Sequence, residues 1–454
     1  MKKVFFVLFL SASLMVNSQV SDNDVIKNIY QNALTSYVAY NHLNELCTKA
    51  PGRLVGSKES ELALELLMNQ LSAIQTDTCY LQNYFTDSWR CVSQAEAIVI
   101  QNGKKEKLNV VNLGLSVSTP AKGICADVVE VHSMKQLDSL GIAKIQGKIV
   151  FFNRPMDNAK LTTFQAYGGA IDQRAIGAAK AAQYGAVGVI VRSIATENDD
   201  FPHTGVSHYQ KGVKEIPNLS ISTNDANKLS RNILENSHTK IRIKSDTETL
   251  KSVRTANIIA EIKGSVHPEN VILIGAHTDA WFNTPGAHDD GAGCMQMMDV
   301  LRIFNDLHIK PLNTIRLVLF MDEEMYQSGA NEYATFAKKE NKKHIACIES
   351  DGGAGLPLGF SIDAADSTVS SVRKLSEVLK EFGVFVVDKG YGGVDIEPLK
   401  EYGFPLIGLE TNSQRYFEYH HSANDTFDKV SRREMQLGTA SIASFVYLID
   451  KYGL

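Results

Sequence analysis

The sequence predicts an α/β protein: a doubly wound, mostly parallel sheet interrupted by an inserted domain. Two observations carry that reading. After Asn257, short apolar runs alternate with helix-period segments, the pattern of parallel strands covered by helices on both faces. Between residues 117 and 246 the texture changes to shorter strands and small-residue helices, which reads as a self-contained unit. The domain plan is therefore a leader at 1–18, a first part of the main domain at 19–116, the insertion at 117–246, and a second part of the main domain at 247–454. A chain of 454 residues exceeds one average core, which suits one large domain carrying an insertion.

The leader follows from Lys2 and Lys3, an apolar stretch over 4–16, and the small Ser18. That stretch is shorter than the roughly 20 residues a spanning helix needs, so it reads as a cleaved secretory signal. The expected destination is secreted or periplasmic, with no membrane association after cleavage. The formal net charge is −5, and loss of Lys2 and Lys3 with the leader would leave −7. That balance gives no reason to expect nucleic acid as a partner, because phosphate binding wants a basic face. The six cysteines are scattered without a C-x-x-C pair. An oxidising destination permits disulfides, but the spacing assigns none, and Cys294 and Cys347 read as buried free thiols.

Along the chain, 22–75 reads as helical, with Ile26, Ile29, Leu34 and Val38 at turn-like spacing and a loop at 50–57. Residues 95–114 read as strands joined by Asn102-Gly103, a strong hairpin signal. Within the insertion, 147–152, 187–191 and 217–221 read as strands, and 175–185 and 226–234 as helices. In the second part of the main domain, strands are expected at 271–274, 315–320, 345–348 and 406–409.

Function is written in where the acids and histidines fall. The first of these strands runs into His277-Thr278-Asp279, and Asp289-Asp290 opens the helix that follows. The next strand ends in Asp322-Glu323-Glu324, the one after it in Glu349-Ser350-Asp351, and His420-His421 come late in the chain. Ligands of an open α/β sheet bind beyond the carboxyl ends of its strands, so these groups converge on one rim. So many carboxylates together are unfavourable unless cations neutralise them. Mixed imidazole and carboxylate donors suit zinc, and a carboxylate shared by two ions explains the surplus of acids. The remaining histidines (His42, His132, His208, His238, His267, His308, His344) lie away from strand ends and read as surface residues. There is no H-E-x-x-H helix and no G-x-S-x-G elbow, which removes the thermolysin-like and common serine-hydrolase routes. Gly353-Ala354-Gly355 lacks the spacing of a dinucleotide fingerprint.

The chain resembles the co-catalytic di-zinc aminopeptidases and glutamate carboxypeptidases. The matching segments are the Pro-Gly-Arg-Leu-x-Gly-Ser loop at Pro51, His-x-Asp at His277, the Asp289-Asp290 pair, the Glu323-Glu324 pair, and the Glu349-Ser350-Asp351 turn. The His421-Ser-x-x-Asp-Thr run and, in the insertion, Pro202-His203-Thr204-Gly205 complete the set, so the likeness covers nearly the whole mature chain. The resemblance implies a zinc exopeptidase fold, phosphorylase/hydrolase-like, whose insertion is of the protease-associated kind. It also implies two zinc ions per chain: His277 and Asp351 on one, Glu324 and His421 on the other, with Asp289 bridging. Glu323 would then be the general base and acid, moving a proton from water to the leaving amine. Asp279 would orient the His277 ring, and the Asp289–Asp290 peptide is expected to be cis. At His420 many relatives carry tyrosine, and His420 would donate the hydrogen bond that stabilises the oxyanion. His288 departs from the relatives and reads as pocket wall.

The implied activity is hydrolysis of dipeptides or short peptides, with a carboxypeptidase favoured over an aminopeptidase using the same cage. Arg415 is one candidate for the clamp on a substrate carboxylate. A non-catalytic, receptor-like protein on the same fold is the minor alternative, disfavoured because Glu323 and all five ligands are intact. Single-zinc glutaminyl cyclase chemistry is disfavoured because those relatives lack the insertion. Small peptides are the expected partners, and the resemblance also suggests a homodimer.

Overall fold

The computed structural model describes residues 21–236, 238–340 and 342–454; the expected leader at 1–18 lies outside them. Among the described residues, three helices lead the chain, Asp22–Thr35, Val38–Lys49 and Lys58–Ser72. Ser21 and Ser57 cap the first and third, each accepting a backbone N–H three residues on. The strands that follow are β1 (Thr78–Gln101), β2 (Lys104–Leu108), β3 (Val110–Asn112), β4 (Ile124–Val131), β5 (Ile149–Phe152), β6 (Gly188–Arg192) and β7 (Asn218–Ile221). After them come β8 (Lys240–Ile262), β9 (His267–His277), β10 (Asn313–Phe320), β11 (Lys343–Glu349), β12 (Pro357–Asp363), β13 (Val386–Lys389) and β14 (Leu406–Thr411). They join in the order β13-β12-β14-β11-β9-β10-β8-β4-β5-β6-β7-β3, with β1 pairing with β8 and β2.

The sheet is mixed but mostly parallel where the chemistry lies. β9 runs parallel to both β10 and β11, and β11 runs parallel to β14. Its two faces are both covered, which is why the strands read as continuous apolar runs. Ile272 and Ile274 point into one core with Leu317, Ile348 and the helices Ala292–Asp306 and Arg432–Tyr452. Val271 and Leu273 point the other way, against Val318, Phe320 and the helix Ser328–Lys339. Each such fully buried aliphatic side chain contributes about 1.5–3 kcal/mol relative to exposure.

The segment between β3 and β8 repeats the logic on a smaller scale. Ile149 and Phe151 of β5 enter one apolar cluster, while Val150 and Phe152 enter another. β8 links the two regions: its first residues pair with β4 and its last with β10. It therefore runs through the boundary placed at 246. β1 accompanies β8 antiparallel along most of its length, with bulges near Ser88 and Ser93 that bend the ribbon. At its far end Gln101 pairs with Lys104 across Asn102 and Gly103, whose φ values of 50° and 78° suit the tight hairpin.

One reading of the histidines needs correction. His344 is not a surface residue: it is buried, accepts or donates a 2.7 Å bond with the Tyr333 hydroxyl, and stacks on Phe404. β4, β8, β12, β13 and the first half of β1 also lie outside the strands expected from the sequence. All six cysteines carry free thiols, with Cys294 and Cys347 buried.

Candidate metal centre

Parallel pairing brings the carboxyl ends of β9, β10 and β11 side by side, with His277 opposite Phe320 and Gly275 opposite Glu349. His277 closes β9, Asp322-Glu323-Glu324 follow β10, and Asp351 follows β11. His420 and His421 arrive after the short helix Tyr416–Tyr419. At the middle stands Asp289. One of its oxygens lies 3.2 Å from His277 Nε2 and the other 3.4 Å from His421 Nε2. On the first side His277 Nε2 is 3.4 Å from Asp351 Oδ1, and on the second His421 Nε2 is 3.0 Å from Glu324 Oε2. The five residues expected to hold metal thus form two donor groups that share one carboxylate.

The surrounding loops are pinned by buried polar groups. Arg53, from the Pro51 loop, donates to the carbonyls of Thr278, Pro285 and Gly286 at 2.6, 2.6 and 2.8 Å. Asp425 accepts the backbone N–H groups of His288 and Asp289 at 2.7 and 3.1 Å. Asp279 accepts those of Asp322, Glu323 and Glu324 at 2.9, 3.1 and 3.3 Å. Its carboxylate is 3.6 Å from His277 Nδ1, whose nearer partner is the Asp279 carbonyl at 3.2 Å. Asp279 therefore does more than face the ring: it fixes the turn carrying Glu323 and Glu324. Asp290, joined to Asp289 by a cis peptide, accepts from the N–H groups of His277 and Gly293. Gly293 is required there, because a Cβ would overlap Ser350 O and the Asp290 carboxylate.

The electrostatics call for cations. Burial lifts Asp290, Glu323 and Glu324 well above the usual carboxylate range, and neighbouring carboxylates add to the lift. Asp289 Oδ2 and Glu324 Oε1 are buried without a hydrogen-bond donor. Oxygens left bare beside imidazole nitrogens are what metal coordination would satisfy, so the donor set fits zinc on both sides of Asp289. Glu323 is half-buried, whereas Asp322 and Glu324 on either side of it are buried.

His420 stacks on His421 with ring centroids 3.5 Å apart, and its Nε2 lies 3.8 Å from Asp289 Oδ2. Burial pushes it down to about 3, so the ring is neutral at ordinary pH. His288 stacks on Tyr419 and accepts the Ala354 N–H through Nδ1, away from the two donor groups. Arg415 is exposed, paired with Glu418 and bonded to the Tyr419 hydroxyl, and so is not aimed at the centre. Residues that the sequence did not single out also meet here. Arg174 is buried beside the two late histidines, donating to Thr204 O at 3.1 Å and to the Tyr167 hydroxyl at 2.6 Å. Asp395 is buried with both carboxylate oxygens unpartnered. A lone arginine or aspartate between ordinary elements carries no sequence signal; Asp425 did, through its place in the His421 run.

The chain is similar to known peptidases. Residues 257–446 match the model of peptidase family M28, a span that holds all five donors. Carboxypeptidase Q from Bos taurus is 31% identical over 411 residues, covering 90% of this chain and 85% of the relative; the Homo sapiens protein is 30% identical over the same length. The solved structure of a peptidase M28 precursor from Shewanella amazonensis superposes with a TM-score of 0.90 at 32% identity, covering 94% of this chain and 96% of that one. A zinc aminopeptidase from Bacillus subtilis shares the fold, with a TM-score of 0.63 at 17% identity over 90% of this chain and 93% of that one. With the family match over the donor-bearing strands and the similarity to these relatives over nine-tenths of the chain, this chain belongs to peptidase family M28.

Proposed function

We propose that the protein is a two-zinc exopeptidase that removes the carboxyl-terminal residue of dipeptides and short peptides. The shared carboxylate of Asp289, flanked by one donor group on each oxygen, supports two ions. Bound zinc would acidify a coordinated water and polarise the scissile carbonyl. Glu323, partly open to solvent and raised by burial, accepts the proton of the attacking water and returns it to the leaving amine. Neutral His420 donates one N–H toward the oxyanion. Asp279 keeps Glu323 in reach by holding its backbone.

The observation that carries the choice of terminus is Arg174. Among the described residues this buried guanidinium has no carboxylate partner, and its Nε has no acceptor. A desolvated cation without a counter-ion beside His420 and His421 suits the α-carboxylate of a substrate, and it replaces Arg415 in that role. The second reading is an aminopeptidase with the same cage, and Asp395 favours it: two bare buried oxygens suit an α-ammonium group. The apolar leader and the homology to carboxypeptidase Q suit a secreted or periplasmic protein; no described helix is long and apolar enough to cross a membrane.

The test is hydrolysis of a dipeptide panel blocked at either terminus, with chelator and zinc add-back. Cleavage that survives amino blocking, fails on carboxyl amidation and returns with zinc supports the carboxypeptidase. The reverse terminal requirement makes it an aminopeptidase, and activity indifferent to the chelator overturns the mechanism.

A further inference from the structure

His421 combines two demands that its own segment does not meet. It is a donor of the second metal group, and its backbone lies in the left-handed region, with φ of 62°. A non-glycine residue holds that conformation only where its surroundings fix it. The fixing groups come from the insertion. Thr204 donates its backbone N–H to His421 O at 2.9 Å, and Thr204 O lies 3.2 Å from His421 Nδ1. The two contacts grip the residue from both sides, one on the backbone and one on the ring. The second contact requires the proton on Nδ1, which leaves the Nε2 lone pair free to face Glu324 and Asp289.

Thr204 is itself held. It is fully buried, its hydroxyl donates to Asn112 O at 2.6 Å, and Gly114 N–H donates to Gly205 O at 2.9 Å. Arg174 donates to the same Thr204 carbonyl that faces the His421 ring. Gly205 has no room for a side chain, since a Cβ would overlap the Arg174 guanidinium. The loop 202–205 is thus built rigid at the point where it touches His421.

We infer that Thr204 is a positioning residue for one metal only: the insertion completes the Glu324–His421 site, while the His277–Asp351 site is built within the second part of the main domain. The inference rests on the two-zinc reading above. Removing the Thr204 contact would weaken one zinc and spare the other.

The experiment is a competitive chelator titration that resolves two stepwise zinc constants for the wild type, Thr204→Val, Thr204→Ser and Gly205→Ala. Thr204→Val removes the hydroxyl anchor to Asn112, Thr204→Ser restores it, and Gly205→Ala displaces the carbonyl through Arg174. The expected result is that one constant weakens about 10–100-fold in Thr204→Val and Gly205→Ala, the other moves less than about twofold, and Thr204→Ser recovers most of the loss. Equal weakening of both constants, or no change in either, overturns the inference. A wild type that binds one zinc defeats the two-ion reading, and this inference with it. Should neither variant fold, the zinc-loaded wild type still decides: a slowly exchanging Nδ1 proton on His421 is expected by NMR, and its absence overturns the clamp.

Discussion

Asp425 Oδ2 accepts the backbone N–H of Asp289 at 3.1 Å, so the carboxylate shared by the two donor groups is set in place by another carboxylate behind it. The other Asp425 oxygen takes the His288 N–H, and both residues lie in the turn that opens the helix after β9. In Asp425→Asn one oxygen becomes an NH2 group, which cannot accept. One of the two N–H groups is then buried without a partner, at a cost of about 1–3 kcal/mol. We expect weaker zinc binding by about 10–100-fold, measured by chelator competition.

Glu323→Gln keeps the shape of the side chain and removes the carboxylate proposed above as the proton acceptor. We expect kcat to fall by about 10²–10⁴-fold with KM and zinc content near the wild-type values. A zinc content that falls with activity would instead make Glu323 a ligand.

Arg174→Met separates the two readings of the substrate terminus. For a carboxypeptidase, kcat/KM should drop by about 10–100-fold for substrates with a free α-carboxylate and change little for their amides. Asp395→Asn should leave both substrates alike. The opposite pattern, with Asp395→Asn selective for a free amino terminus, favours the aminopeptidase.

Arg53 is fully buried and donates to three carbonyls around the Asp289 turn. Arg53→Met should lower stability by about 3 kcal/mol or more, read as a shift in denaturant midpoint, because three buried acceptors lose their donor.

Away from the centre, His344 gives a pH dependence of defined sign. Burial, together with the charges of Arg316 and Lys342, pushes it down to about 3 from the ordinary 6.5. Below about pH 6.5 the unfolded chain takes a proton there that the folded chain refuses, so stability falls as pH drops toward 3. The loss should reach about 2 kcal/mol by pH 5. In His344→Gln the fall between pH 7 and pH 5 should shrink by about that amount, as measured by urea midpoints at the two pH values.

Much of this was legible in the sequence, for identifiable reasons. β9, β10, β11 and β14 are covered on both faces, so Val271–Leu273 or Leu317–Leu319 announce themselves as apolar runs. Asp289, Glu324 and His421 stand out because acids and imidazoles follow those runs. β13 escaped because it is short and mostly exposed, and the first half of β1 because its buried positions mix Tyr84 with Thr86 and Ser88 while Phe85 is exposed, so no clean apolar alternation marks it; pairing with β8 holds it in the sheet. His344 escaped because its burial depends on Tyr333 and Phe404, which the fold brings to it. Thr204 was marked only as part of the Pro202-His203-Thr204-Gly205 segment; its contact with His421 runs through its backbone, and a backbone N–H and carbonyl leave no mark on a residue's identity. Arg415 stood out for its place beside an aromatic stretch, but its local partner Glu418 claims it, whereas Arg174 owes its place to contacts with Thr204 and Tyr167, neither of them a neighbour in sequence.

Anomalous diffraction from zinc-loaded crystals decides whether Asp289 is shared by two zinc ions. Two zinc peaks about 3.5–4 Å apart are expected. One should lie between His277 and Asp351, the other between Glu324 and His421, with Asp289 bonded to both and Glu323 to neither. One atom from each of Asp289, His420 and His421 lies within 4.8 Å of the others, as do atoms of His277, Asp290 and Asp351. A single peak, or ions held by His420 or Asp290 with Asp289 on one ion alone, would contradict that sharing.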